Sequence, residues 1–298
     1  MNIDEWVVDS RLLPDKAYAD DWDSIIADND IKDRLVNQAL LAIRLRERLP
    51  FTTTALHGLL LLFGPPGTGK TTLARGLAQT LCVPAGGRVR FIEVNPHGLM
   101  SAEHGQSQQH VIELLCDYIP TLIEPGMPTV VLLDEVESMA VARSAASLSA
   151  NPADVHRATD AVLTALDRNA REHPQLITVA TSNFDEALDE AFRSRADLAI
   201  EIPLPDAAGA QAILASTLQA FGAEFPGIGA LAKSPKLTGV AASLVGLDGR
   251  RIRKVVTEAL ATDRAMVRDP NKLTIDALTT ASRRLKSAER KELRRAAA

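Results

Sequence analysis

"FGPPGTGKTT", residues 63–72, follows the apolar run Leu59–Phe63 and precedes a stretch with helical spacing. Glycines at 64, 67 and 69 let the chain curl so that successive backbone N–H groups point inward at an anion, and a helix starting there adds the positive end of its dipole. Gly64, Pro65, Pro66, Gly67, Thr68, Gly69, Lys70 and Thr71 fit the eight-residue phosphate loop. The strand before and the helix after it separate that motif from a chance glycine turn. Lys70 is then placed to reach the β and γ phosphates of a nucleotide, and the Thr71 hydroxyl to hold Mg2+. Thr72 comes one residue too late for the metal role.

"TVVLLDEVES", residues 129–138, supplies the second half of such a site. A buried apolar strand ends in Asp134, at the sheet edge where a phosphate loop also lies, so Asp134 is read as a ligand in the Mg2+ shell. Glu135, adjacent but free of the metal, is read as the group that orients and deprotonates the attacking water. "ITVATSN", residues 177–183, brings Ser182 and Asn183 to the same edge. "DEAFRSRAD", residues 189–197, sets Arg193 and Arg195 between two strands. An arginine keeps its charge and presents planar donors, which suits a transferred phosphoryl group, and one supplied by a neighbouring subunit raises rates by ~10³ to 10⁵. The sequence has no guanine-reading Asn-Lys-x-Asp or Thr-Lys-x-Asp, which disfavours a GTPase.

Strand patterns fall at 58–63, 89–94, 130–133, 177–181 and 198–202, with helical patterns between the first four. This alternation predicts an α/β fold with a five-stranded parallel sheet covered on both faces. Before it, "WDSIIADNDIKDRLVNQALLAIRLRER", residues 22–48, reads as helix, with Asp28 or Asn29 as its cap. After "EIPLPD", residues 201–206, strand signals stop and helical patterns run to the end, broken at "FPGIG" and "RDPNK". The expected organisation is a lead over 1–21, an α/β nucleotide domain over 22–204 and a mainly helical lid over 205–298.

The chain has 298 residues, 46% of them hydrophobic, enough for two domains with cores. Its two cysteines, Cys82 and Cys116, sit in apolar helical contexts and read as core residues in a reducing compartment. The acidic start lacks the pattern of a signal peptide, and the longest apolar run is too short to cross a bilayer, so a cytoplasmic protein without a membrane partner is expected. A net charge of -5 argues against nucleic acid as the main partner. The basic stretch "SRRLKSAERKELRRAAA", residues 282–298, reads as a solvated terminal helix.

Phosphate loop, Asp-Glu strand end, Ser-Asn strand end, paired arginines and a helical C-terminal region together resemble an AAA+ P-loop NTPase. "FIEVNPHGLMS", "LLDEVESMAVAR", "AVLTALD", "ATSNFDEALDEAFRSRADLAIEIPLP" and "GLDGRRIRK" resemble its HORMA-remodelling branch, the pachytene-checkpoint and thyroid-receptor-interactor ATPases. The likeness runs from about Trp22 to the last helices. It implies an ATPase working as a homo-hexameric ring, which engages a HORMA-domain protein in its pore, partly unfolds it and disassembles its complexes. By position it implies Arg195 as the trans-acting finger, Asn183 with Ser182 as the first sensor, and Arg250 as the second sensor, with Arg253 as its alternative. The short lead leaves no room for the adaptor-binding domain of eukaryotic relatives. The expectation is therefore a compact bacterial version that restrains anti-phage signalling by a cyclic-oligonucleotide synthase bound to the HORMA protein.

Pore loops of threading ATPases usually present an aromatic residue. Here alignment puts Glu103 and His104 at those places, within "LMSAEHGQS", with Met100 just before and Gly105 allowing a bend. That departure suggests a polar, selective grip, suited to a basic segment. "RSAASLSANPAD", residues 143–154, is a second candidate for lining the pore. Two competing readings share the nucleotide site: a loader or initiator acting on DNA, which predicts a helix-turn-helix or a basic face, and a nucleotide-dependent assembly switch.

Overall fold

The computed structural model describes residues 3–100, 106–140, 152–183 and 188–296. Its contacts divide the chain into two units, residues 1–64 with 70–202 and residues 65–69 with 203–298.

The first unit is built on a six-stranded sheet: β1 Val7–Leu13, β2 Leu59–Phe63, β3 Val89–Val94, β4 Thr129–Leu133, β5 Leu176–Ser182 and β6 Leu198–Glu201, in the order β1-β3-β4-β5-β2-β6. Strands β2 to β6 are mutually parallel. Side chains alternate across a strand, and here both faces are covered. Leu59, Leu61, Ile92, Val94, Val131 and Leu133 enter one core, under the helices Gln106–Ile112 and Pro152–Glu172. Leu60, Leu62, Val89, Phe91, Val130 and Leu132 enter the other, under Asn29–Arg46 and Lys70–Leu81. Near-continuous apolar runs are what two covered faces require, so the five parallel strands were readable as such. Asp28, not Asn29, caps the first of these helices, accepting from Asp30 N–H.

The expected five-stranded, all-parallel sheet needs one correction. Residues read as a lead form β1, which pairs antiparallel with β3 at the sheet edge. Its pattern is inverted: Asp9 and Arg11 are half-buried, while Val8 and Leu12 are exposed. The Tyr18 hydroxyl donates to Asp9, and the Arg11 guanidinium lies 4.8 Å from the centre of the Tyr18 ring. Inward charges on an edge strand discourage pairing with other chains, and they also hide the strand from hydrophobic patterning.

Arg46, at the end of its helix, is buried with its head against backbone carbonyls. It donates to Leu176 O (2.7 Å), His173 O (3.0 Å) and Asn169 O (3.3 Å), closing the end of the helix Pro152–Glu172 and the start of β5. Helix ends leave carbonyls without intrahelical partners, and a buried guanidinium has enough donors to serve several. Burial pulls its pKa down to about 10.

The second unit is helical, comprising Ala207–Gly222, Pro226–Leu231, Leu237–Leu244, Gly249–Leu260 and Ile275–Ala296 with shorter turns. Leu214, Leu218, Val240, Leu244, Ile252, Val256 and Leu278 fill its core. Gly222 and Gly229 let two of these helices touch: a Cβ on Gly222 would lie 2.6 Å from the Gly229 Cα. Cys82 and Cys116 are free and buried, as read from the sequence. Among the described residues no helix is long and apolar enough to cross a membrane.

Arg46→Met keeps the apolar stem and removes the donors. With unsatisfied buried carbonyls at about 1–3 kcal/mol each, partly relieved by relaxation, a loss of about 3 kcal/mol is expected. In a unit of this size that lowers the melting temperature by about 6–12 °C in calorimetry, with Arg46→Lys falling between the two.

Candidate active site

Lys70, Asp134, Glu135 and Asn183 come together because β2, β4 and β5 are neighbours or next neighbours and all end on the same edge. In the loop after β2, Gly64, Gly67 and Gly69 have φ of 134°, 79° and 96°, a region that side chains disfavour. Any Cβ at Gly64 would also meet the Ile202 carbonyl oxygen at 2.5 Å. The Thr68 hydroxyl donates to Pro65 O across the loop. Lys70 opens the following helix and is buried, its ammonium donating to Gly64 O (2.8 Å) and Asn183 Oδ1 (2.9 Å). Burial pulls its pKa down, opposed by the charges of Glu137, Asp134 and Glu135. An anion placed between loop and ammonium relieves that desolvation, so the cradle fits a nucleotide phosphate.

Asp134 Oδ1 accepts from Thr71 Oγ1 (2.7 Å) and from Thr181 Oγ1 (2.5 Å). A hydroxyl and a carboxylate oxygen at this spacing suit Mg2+, which takes one or two protein oxygens beside phosphate oxygens and water. No cluster of three or more His, Cys, Asp or Glu side chains able to cage a metal occurs among the described residues. Glu135 adopts the left-handed conformation (φ 54°, ψ 51°), held by its N–H donating to Thr181 Oγ1 (3.0 Å). Its carboxylate is half exposed and receives the Asn183 side-chain amide (3.2 Å). Asn183 thus bridges Lys70 and Glu135.

Ser182 does not share that arrangement. It is fully buried and registers with Phe63 inside the sheet. The period of two that puts Asn183 at the site turns Ser182 to the opposite face and brings in Thr181, which sequence reading passed over. Two further neighbours escaped it. His97 Nε2 lies 3.4 Å from Glu135 Oε2, and Glu137 Oε1 accepts the Asn183 N–H at 3.1 Å. The doubled acid pattern of "DEVES" was a visible signal for Glu137, whereas His97 had none.

Arg195 lies at the other end of the sheet. It precedes β6, which is parallel to β2, and the Asp197 carboxylate accepts the N–H groups of His57 and Gly58 just ahead of β2. The five residues of β2 separate that edge from the phosphate loop, about 16 Å at about 3.3 Å per residue. Its guanidinium grips Asp167 through Nε (2.7 Å) and Nη2 (2.8 Å), and Nη1 donates to Ala191 O (2.7 Å). Asp167 also meets His57 Nε2 at 3.2 Å. The fork raises the pKa of Arg195 and lowers that of Asp167. Arg193 is exposed.

Within the second unit, Arg250 is exposed in the first turn of Gly249–Leu260, and its N–H donates to Gly67 O at 3.3 Å. Arg253, one turn on, is half-buried, and burial lowers its pKa. Met100 is half-buried against the first core. Glu103, His104 and Gly105 lie outside the described residues, as do positions 143–151 of the second candidate loop.

Residues 60–204 match the ATPase family associated with various cellular activities (AAA). CD-NTase-associated protein 6 of Pseudomonas aeruginosa is 48% identical over 278 residues, covering 93% of this chain and 91% of that protein. The pachytene checkpoint protein 2 homolog of Danio rerio is 35% identical over 70% of this chain, which spans about half (50%) of that relative. A chain of the E. coli MS115-1 HORMA:CdnC:Trip13 complex superposes with a TM-score of 0.73 at 17% identity, over 95% of this chain and 96% of that one. Aligned over nearly its whole length with the bacterial relative, similar over half their length to the pachytene checkpoint protein 2 homologues, and carrying the nucleotide cradle just described, the chain belongs to the AAA family of ATPases.

Proposed function

We propose that this chain is an ATP-driven remodeller of a HORMA-domain protein, working as a homo-hexameric ring and acting as a brake on anti-phage signalling by a cyclic-oligonucleotide synthase. The observation that carries the oligomer is the distance between Arg195 and its own phosphate loop: a strand length apart, they meet only if the arginine serves a neighbouring subunit's site. The likenesses to a CD-NTase-associated protein and to the fold of a HORMA:CdnC:Trip13 chain support the partner class.

The phosphates of ATP lie in the cradle of Gly64 to Thr71, with Lys70 turning from Gly64 O to the β and γ oxygens. Thr71 and Asp134 would hold Mg2+, which would supply positive charge beside the phosphates. Glu135 takes a proton from the attacking water. Asn183, bonded to both Glu135 and Lys70, keeps that base in register with the γ-phosphate. Arg195 of the adjacent subunit stabilises the transferred group, and Arg250, with Arg253 as the alternative, reads the γ-phosphate from the lid. Residues Met100 to Gly105 follow Pro96–Leu99, the helix of His97, and Glu103 and His104 grip the HORMA segment.

Glu135→Gln is expected to bind ATP within about twofold of wild type while kcat falls ~10²- to 10⁴-fold. Arg195→Ala is expected to lower kcat ~10³-fold. Mixing these two inactive variants restores turnover, because intact Glu135 in one subunit then faces intact Arg195 from the next; no recovery removes the trans assignment. ATPase rate should rise with a HORMA partner, whose complex is lost in an ATP-dependent manner. Glu103→Ala/His104→Ala should abolish both effects and leave basal turnover intact. An unresponsive wild type sinks the partner class.

A further inference from the structure

We infer that Glu137 is a positioning residue for hydrolysis: its carboxylate holds the backbone N–H of Asn183, and through Asn183 it fixes the amide that joins Lys70 to Glu135. The inference rests on the ATPase reading of the site, since Glu137 itself need not touch the nucleotide.

Glu137 reaches this position because the chain reverses at the left-handed Glu135 and tightens into the short turn Val136–Ser138. Ser138 N–H (3.1 Å) and hydroxyl (3.0 Å) both donate to Glu135 O, and Val136 and Met139 anchor the turn in the core. The turn is therefore rigid, and its carboxylate is aimed rather than free. Glu137 Oε1 accepts the Asn183 N–H at 3.1 Å, while Oε2 is buried without a hydrogen-bond partner among the described residues. Burying one oxygen of this half-buried carboxylate without a hydrogen bond costs free energy, and the charge of Lys70 offsets that cost. Of the three carboxylates acting on the Lys70 ammonium, Glu137 acts most strongly. Glu137 thus faces the phosphate lysine by its field and the sensor strand by its hydrogen bond, two groups that must keep their spacing while ATP is cleaved.

Without the carboxylate, Asn183, just past the end of β5, loses the acceptor of its backbone N–H, and its side-chain amide drifts from Glu135. Misplacing a positioning group by about 1 Å lowers rates by up to about 10²-fold. The test compares Glu137→Gln, Glu137→Asp and Glu137→Ala with Asn183→Ala and the double variant Glu137→Ala/Asn183→Ala. Steady-state ATPase, affinity for a non-hydrolysable ATP analogue and melting temperature are read for each. Glu137→Ala is expected to lower kcat about 30- to 100-fold. Analogue affinity holds or rises, because a negative charge leaves the neighbourhood of the phosphates. Glu137→Gln, which still presents an acceptor, recovers most of the rate; Glu137→Asp keeps the charge, loses the reach and stays slow. The double variant is no slower than Asn183→Ala, as expected when one residue acts through the other.

Normal kcat in Glu137→Ala, independent multiplication of the two effects, or an affinity loss equal to the rate loss overturns the inference. If Glu137→Ala fails to fold, a fast Glu137→Asp overturns it equally. Normal kcat in Asn183→Ala instead sinks the reading of Asn183 as sensor, and the inference with it. A slow Asn183→Ala beside unaffected Glu137 variants sinks the inference alone.

Discussion

One carboxylate oxygen ties the nucleotide site together. Asp134 Oδ1 accepts hydroxyl protons from Thr71 and Thr181, so the phosphate-loop helix, β4 and β5 meet at a single atom. Thr181 in turn accepts the Glu135 N–H, which keeps the next residue in a conformation that non-glycine residues rarely adopt. Two charge-assisted bonds to one acceptor are worth more than neutral ones, and here they set the spacing between Lys70 and Glu135. The sheet beneath makes this possible, because β2, β4 and β5 bury alternate residues in two separate cores and cannot slip by one position without exposing both.

What the sequence displayed follows from that constraint. "LLLLF", "TVVLL" and "LITVATS" are apolar because both faces are covered, and glycines appear where φ turns positive around the phosphate loop. Patterns with one cause per residue were legible: strand, loop, lysine, Asp-Glu end. The edge strand β1 was not, since its inward Asp9 and Arg11 pair with each other at 2.7 Å and pack against Tyr18, whose proximity is tertiary. Arg46 was unremarkable as a helix residue; its carbonyl acceptors lie more than a hundred positions away.

The site itself divides in the same way. Lys70, Thr71, Asp134 and Glu135 are contiguous pairs within motifs, and spacing alone placed them. Asn183 emerged at the strand end as read, but Ser182 beside it turned inward, because adjacent strand residues face opposite ways. Thr181 became visible only through the partners it holds, whereas Glu137 was signalled by the doubled acids of "DEVES" and its partner, the Asn183 N–H, came from the fold. Motif reading finds candidate ligand-facing residues; those that hold such residues are found through packing and hydrogen bonds.

Arg195 is held in place by its own subunit. A guanidinium on a flexible stem must be ordered before it can meet a phosphate, and ordering a long side chain costs up to about 2 kcal/mol. The fork to Asp167 and the bond to Ala191 O order it within its own subunit and use three of the five guanidinium N–H groups. Among the described residues the other two N–H groups have no acceptor, and on the reading proposed above they face an anion. His57 shares the same Asp167, and its backbone N–H, with that of Gly58, binds Asp197. The arginine segment is thus fastened to the start of the strand whose far end carries the phosphate loop. On the reading proposed above, each subunit presents a preset cation at one end of β2 and an anion cradle at the other, which is the arrangement a head-to-tail ring requires.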